Sequence, residues 1–400
     1  DPIVFFRTQA LMNEIGADPN DWDKHFKLMD DIDLGRYMGT DFNTIGESSS
    51  NAFNGVFDGN NKKIANFTYT SVRETSIGIF GFVVGGQIKD LGLLNSNVDI
   101  DRGSYHGCLV GKLKGGAIKN CYLENGNISG KDFVGGLIGF TDGDWNTLGT
   151  ITNCYFTGFV SGDDDVGGLV GSNGCTIRNC YANGEVFGEQ NIGVLAGSNS
   201  GIIKNSSAEG KSEGSIRAVS RRDIGGLVGH SSGQLSDCSA RSEVFGDMRI
   251  GGLVGSNDAS IVACYTTGSV LGDEYVGGLV GRNKGGIADS YSLANVEGKY
   301  TAGGLVGDNN YGGVVNCYSS CTLIAQDQIG GLVGINDGII STSYSSTAVN
   351  GLYEVGGLVG YNSSNAEIVD CYSNGNVIGN NYVGGLVGNN VYFSRMGLVL

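Results

Sequence analysis

The tetrapeptide Gly-Leu-Val-Gly occurs eight times in this chain, with its leucine at Leu169, Leu227, Leu253, Leu279, Leu305, Leu332, Leu358 and Leu386. Related tetrapeptides surround Ile79, Leu109, Leu137 and Leu195, and the twelve positions are separated by 30, 28, 32, 26, 32, 26, 26, 26, 27, 26 and 28 residues. A period this regular means one small structural unit copied along an axis. It overrides the two or three domains that 400 residues would ordinarily suggest, because a solenoid grows by stacking around one core.

The segment Gly252 to Gly277 serves as a standard unit. Gly252-Leu253-Val254-Gly255 opens it and Ser256-Asn257-Asp258 reads as a polar turn. Ile261 to Tyr265 is a second apolar segment, Thr266-Thr267-Gly268 turns again, and Ser269 to Gly272 is a third. Asp273-Glu274-Tyr275 is the last corner before Val276-Gly277 leads into the next copy. Three short β-prone segments separated by Gly, Asn, Asp and Ser corners are poor material for helices. Proline occurs only as Pro2 and Pro19, as expected where backbone N–H groups are needed for ladders. The expected fold is all-β: a right-handed parallel β-helix of about 12 coils, some 55–60 Å long at strand spacing, with a small N-terminal helix/strand cap. The 71 glycines then serve corners of positive φ and let the wall of a coil approach the opposite wall.

Three positions of the unit repeat. Cys121, Cys154, Cys180, Cys238, Cys264, Cys317 and Cys371 share one place with Ser206, Ser290 and Ser343, which calls for a small, weakly polar, buried side chain. Reduced packing thiols, disulfides between neighbouring coils and, last, a metal site are the readings open to them. Asn or Asp precedes this place, as at Asn120, Asn153, Asn179, Asn205, Asn316, Asp237, Asp289 and Asp370, and predicts a left-handed corner with a stacked amide ladder. Tyrosine follows it at Tyr122, Tyr155, Tyr181, Tyr265, Tyr291, Tyr318, Tyr344 and Tyr372. If the cysteines point inward, these tyrosines form an outer stripe, which either stacks between coils or binds carbohydrate or protein.

Residues 1–70 have a different texture and read as the cap and first irregular coils. They hold a short amphipathic helix from Thr8 to Gly16, strands at His25 to Met29 and Ile32 to Leu34, and a strand with a tight Asp-Gly turn over Phe53 to Asn60. Residues 71–388 are the repeats, and 389–400 a tail or the start of a further coil. The start at Asp1, without methionine or a visible signal peptide, suggests a processed form or a fragment. The C-terminal end shows no matching cap, which suggests end-to-end association.

The pattern Gly-Gly-Leu-Val-Gly-x-Asn, with Ile…Asn-Cys-Tyr and Gly-x-Val-x-Gly following, resembles bacterial proteins carrying the GLUG motif, from about Ile79 to Gly388. The lead-in Phe26 to Leu34 with Phe53 to Asn60 resembles theirs as well. The resemblance implies a large secreted or surface-anchored protein, adhesin-like or of the immunoglobulin A1-specific metallopeptidase kind. Peptidase activity does not carry over: His-Glu-x-x-His is absent, and the histidines are His25, His106 and His230.

A net charge of −16 argues against nucleic acid and anionic lipid as partners, and no apolar run reaches membrane-spanning length. The expected role is a non-catalytic extracellular rod at a bacterial surface. Its partners would be other copies of itself, end to end or lateral, or cell-surface carbohydrate or protein. The alternative is a polysaccharide-binding or polysaccharide-degrading β-helix, which would need paired carboxylates or a calcium-binding acid cluster. No catalytic set stands out and no cofactor is expected. Asp163, Asp164 and Asp165 form the densest acid run: a solvated corner, or a candidate calcium site. Asp30, Asp31 and Asp33 are a second acid group that could bind calcium but reads better as serving strand ends and the cap. An ice-binding array is disfavoured by irregular threonines, and the sequons at Asn66, Asn127, Asn205 and Asn362 match a pattern common by chance.

Overall fold

The computed structural model describes residues 3–143, 149–214 and 221–391, with the backbone of 395–396. The chain is a parallel β-solenoid of about 13 turns, and the single α-helix among the described residues lies near the N-terminus. It divides into two compact units, Asp1–Gly188 with Val194–Ser207, and Glu189–Gly193 with Ala208–Leu400.

Each regular coil has three walls. In the second unit the first wall is Val254–Asn257, the second is Ser260–Val262 followed by Tyr265–Gly272, and the third is Glu274–Gly277. Every strand pairs in parallel with its equivalent in the next coil, so like residues face like: Val254 with Val280, Ile261 with Ile287, Val276 with Ala302. Leu279, Val280, Ile287, Val296 and Val276 turn into the core, none more than 3% exposed. Burial of such side chains stabilises by roughly 1.5–3 kcal/mol each.

The second wall bends at the residue before Cys/Ser, which holds left-handed backbone whether it is Asn316 (φ 53), Asp289 (φ 52) or the less tolerant Ala263 (φ 54) and Thr342 (φ 47). The expected amide ladder is there. Asn153 Nδ2 donates to Asn120 Oδ1 at 3.0 Å, Asn179 to Asn153 at 3.2 Å and Asn205 to Asn179 at 2.7 Å. After this bend Cys264 is buried and Tyr265 exposed.

All ten cysteines are free thiols, so the ladder is not disulfide-linked. Their interchange with serine has a polar cause beyond size. The backbone N–H of Cys180 donates to Ser206 Oγ at 3.1 Å, and that of Cys154 to Cys180 Sγ at 3.5 Å. Each of these thiols or hydroxyls in turn donates to the carbonyl two residues earlier, as Cys180 does to Arg178 at 3.3 Å and Ser206 to Lys204 at 2.9 Å. Burial pushes the Cys317 thiol up to about 12, which keeps it protonated and unreactive.

Two expectations are corrected. Ser256-Asn257-Asp258 is not simply a polar turn, because Asn257 is fully buried at the end of the first wall. The equivalent asparagines form a second ladder inside the coil. Asn257 Nδ2 donates to Asn283 Oδ1 at 2.8 Å, Asn283 to Asn309 at 2.9 Å, Asn309 to Asn336 at 2.8 Å and Asn336 to Asn362 at 2.9 Å. Each also donates to a backbone carbonyl at the following corner, as Asn309 does to Gly312 at 3.0 Å. The expected tight Asp-Gly turn at Asp58-Gly59 is instead a bulge within the continuous strand Val56–Ala65. Asn60 (φ 52) and Asn61 (φ 57) absorb the register shift there.

The first unit begins as expected, with helix α1 (Gln9–Ala17) capped by the Thr8 hydroxyl, which accepts from Leu11 N–H at 3.3 Å. The strand Ile3–Phe6 pairs with His25–Leu28, and Phe6, Phe26, Phe53, Phe57 and Phe80 interlock beneath with ring centroids 5.0–6.5 Å apart.

The repeated glycines have a specific cause. The glycine closing the third wall lies against the carbonyl of the following Leu-Val step: a Cβ at Gly303 would fall 1.9 Å from Val306 O. Gly303→Ala is expected to destabilise the fold by about 3 kcal/mol, since the backbones would have to separate. Gly286→Ala, where a Cβ meets nothing within 4 Å, should stay within about 0.5 kcal/mol of wild type. Urea unfolding midpoints measure the contrast, and equal midpoints would count against the close contact.

The inner ladder makes a second prediction. Asn309→Leu should lose about 2–4 kcal/mol, because it strands buried donors and acceptors on both neighbouring coils. Asn316→Gly in the outer ladder should change stability by less than about 1 kcal/mol, as glycine relieves the left-handed backbone. Similar losses for both would remove the distinction between the ladders.

Candidate functional site

The tyrosines are the most regular outward feature. In the second unit Tyr265, Tyr291, Tyr318, Tyr344 and Tyr372 stack with centroids 4.8–5.1 Å apart and ring planes within 8°. In the first unit Tyr122 and Tyr155 stack at 4.8 Å, and the Tyr155 hydroxyl donates to Glu124 Oε1 at 2.6 Å. Tyr181 continues that column, in register with Tyr155. Ser239 stands opposite Tyr265, so one end of the longer stack opens onto a serine. This geometry decides what the stripe offers. A sugar ring binds an aromatic by lying on its face, but within the stack each face is covered by the next ring. The stack presents ring edges and a row of hydroxyls, with end rings Tyr265 and Tyr372 about 40% exposed.

The acid run does not converge. Asp163 sits at the corner, Asp164 is exposed and opposite Asp132, and Asp165 takes left-handed backbone (φ 55). Burial raises the Asp163 carboxyl, helped by the charge of Asp132 and opposed by Lys131. The Lys131 ammonium lies 3.3 Å from Asp132 Oδ2 and so already supplies a cation to this corner. Among the described residues, no three His, Cys, Asp or Glu side chains gather to hold a metal ion.

A third set of side chains gives no signal within a single repeat. The residue two before most third-wall glycines is left-handed without being glycine, as at Tyr105 (φ 73), Phe133 (φ 58), Asp223 (φ 58), Arg249 (φ 59), Tyr275 (φ 55) and Glu354 (φ 49), though not at Thr301. These side chains meet the position before the buried asparagine on the first wall. In the first unit they form an aromatic box, with Lys112 Nζ 4.0 Å from the Tyr105 ring centre and 5.2 Å from that of Phe140. In the second unit Arg249 forks onto Asp223, with both bonds 2.6 Å. Arg282 Nε lies 3.3 Å from Asp308 Oδ2 as an ion pair without hydrogen-bond alignment. Burial raises Asp308 to about 6 despite Arg282. Writing the repeats under one another would have exposed these opposite charges in adjacent coils.

The GLUG motif matches residues 134–161, 164–186 and 351–378. This chain carries GLUG repeats. Over 123 residues it is 30% identical to halomucin from Haloquadratum walsbyi; the match covers 29% of this chain and 1% of halomucin, so the chain spans a very small part of that protein. A crystal structure from Bacteroides ovatus, described as a candidate immunoglobulin A1 protease, aligns over 98% of this chain and 84% of its own at 16% identity, with a TM-score of 0.30. A likeness that loose bears on neither fold nor activity.

The GLUG match at 134–161 starts in the third wall and runs through the first wall and both strands of the second, so one GLUG repeat is one turn. Tyr155, Tyr181 and Tyr372 lie inside GLUG matches. No helix among the described residues is long and apolar enough to cross a membrane.

His106 interrupts a core column of this GLUG solenoid. It stands opposite Val134 and bridges to Ile77, is fully buried, and neither ring nitrogen has a hydrogen-bond partner. Burial drives its pKa down to about 4, with the nearby Gly103 backbone and Asp132 opposing. The folded value lies below the ordinary 6.5, so the unfolded chain takes up the proton first. The neutral ring's contribution is therefore complete above about pH 6.5 and is lost as pH falls towards about 4. His106→Val should gain on wild type by roughly 3 kcal/mol between about pH 7 and pH 4, a shift of about 2.5 units. The comparison with wild type isolates this group, because Asp308, whose folded value is raised, titrates with opposite sign in the same window. Parallel stability curves for the two proteins across this range would refute the assignment.

Proposed function

We propose that this chain is part of a non-catalytic extracellular scaffold, a secreted or cell-surface repeat protein whose work is to present a long ordered surface. The observation that carries the reading is where the polar side chains go. Asparagine, cysteine, serine and tyrosine, the groups a repeat could aim at a substrate, are spent on ladders between its own coils. The GLUG repeats, the similarity of 123 residues to a segment of halomucin and the net charge of −16 support it, since strong like charge keeps an exposed protein dispersed.

A polysaccharide-binding or polysaccharide-degrading role is the second reading. It has one specific observation in its favour. A groove of about 420 Å³ on the second wall of the second unit is lined by Phe245, Leu271, Asn295, Glu297, Thr322 and Ile324. That volume falls within the usual range of small-molecule sites, and its mixture of apolar, amide and carboxylate groups suits a sugar.

Screening the purified chain against a panel of polysaccharides, for both binding and turnover, separates the two. The scaffold reading expects no turnover. Release of reducing ends or unsaturated products would sink it. Binding without turnover, lost in Phe245→Ala, would make the scaffold an adhesive one.

A further inference from the structure

The charge of this protein is unevenly placed. In the second unit, four consecutive stretches of the second wall, 260–267, 286–293, 313–320 and 339–346, contain one charged residue, Asp289, in a chain of net charge −16. The Asp289 carboxylate is occupied by Asn316 Nδ2 at 2.6 Å. The outward positions of the same stretches hold Val262, Tyr265, Leu293, Val315 and Ile339, with exposures of 37%, 40%, 43%, 42% and 50%. Small residues lie between them, and a Cβ at Gly286 or Gly313 would meet nothing within 4 Å.

We infer that this uncharged face is the surface through which two copies of the chain pair side by side. The inference rests on the scaffold reading and names its partner. Three observations select a second copy. The net charge of −16 sets two copies against each other, whereas this face adds little charge to that repulsion. The face carries its own spacing, since its tyrosine column repeats every 4.8–5.1 Å, and an identical copy presents the same spacing to it. Self-complementary packing of one patch on itself closes as a two-fold dimer, as in most homo-oligomers. The tyrosine faces that a glycan would need are covered within the stack, which favours a protein sheet as the occupant. Exposed aliphatic side chains grouped on one wall are the kind of patch that marks an interface.

Sedimentation velocity on the full chain, over a range of concentrations, tests this. Wild type should pass from monomer to dimer as concentration rises. The dimer should tighten in about 0.5 M salt relative to about 0.05 M, since screening weakens the repulsion of the remaining surface. Val315→Lys and Ile339→Glu should each weaken association by about a hundredfold, as each buries an unpaired charge at the contact. Ile324→Lys, on the groove-bearing columns, should leave it unchanged. All three side chains are exposed, so circular dichroism should show every variant folded. A chain that stays monomeric at every concentration and salt, or a dimer indifferent to Val315→Lys and Ile339→Glu, overturns the inference. So does a monomer that captures neutral polysaccharide through Val315. A monomer would leave the scaffold reading standing, whereas polysaccharide turnover would remove that reading and leave the dimer intact.

Discussion

Parallel pairing in register is the constraint on which everything else depends. It places each residue directly over its equivalent one coil away, at strand spacing, so any side chain must tolerate a copy of itself as nearest neighbour. Leucine, valine and isoleucine do so through packing, tyrosine through offset rings, and asparagine because an amide is both donor and acceptor. Charged residues do so poorly, and two pairs on the walls of adjacent coils in the second unit are opposite in sign, Asp223 with Arg249 and Arg282 with Asp308. The glycines settle the remaining geometry. With Gly303 backed against the Val306 carbonyl, the third and first walls meet through backbone alone, and this close contact recurs at Gly277, Gly330 and Gly356.

The two asparagine ladders satisfy the same rule in opposite senses. In the outer ladder each amide donates to the preceding coil, Asn153 to Asn120. In the inner one it donates to the following coil, Asn283 to Asn309. The inner ladder also ties a wall to its corner, because the second amide hydrogen reaches a carbonyl beyond the turn. Buried hydrogen-bonded chains of this kind are costly to break and tolerate few substitutes. Asparagine therefore recurs at Asn173, Asn199, Asn257, Asn283, Asn309, Asn336 and Asn362, with Ser231 standing in once and donating to the Gly233 carbonyl, while the outer position accepts aspartate, alanine and threonine.

Much of this was legible in the amino-acid sequence because it follows from identity between copies. The period located the coils, the Cys/Ser exchange located a buried polar position, and the Asn-Cys-Tyr run located a left-handed residue just ahead of an inward and then an outward one. The inner asparagine was misread because Ser-Asn-Asp has the composition of a solvated turn. Only its neighbours in other coils, absent from any single repeat, make it a core residue. The left-handed third-wall position was invisible for a different reason. Tyr275, Arg249 and Glu354 have no preference for that backbone, and the packing of the following Val-Gly imposes it at a cost of roughly 1–2 kcal/mol each. At Asp58-Gly59 a local turn signal was real, but the flanking strands were already committed to parallel partners. The turn was therefore absorbed as a bulge.

The side chains proposed for function were the least legible, and the same constraint explains why. A position that stacks on itself is held to a few residue types, whereas an outward position at a wall edge is free to vary. Variation along a column carries no periodic signal. What remains readable is the sum over a column: charge of alternating sign where Arg249 meets Asp223, an aromatic box around Lys112, and near-absence of charge where Val315 and Ile339 lie beside the tyrosines. Identical coils could not separate these regions. A solenoid distinguishes its faces only through differences between copies at positions the stack does not police, so recognition in such a chain belongs to patches several coils long rather than to single residues.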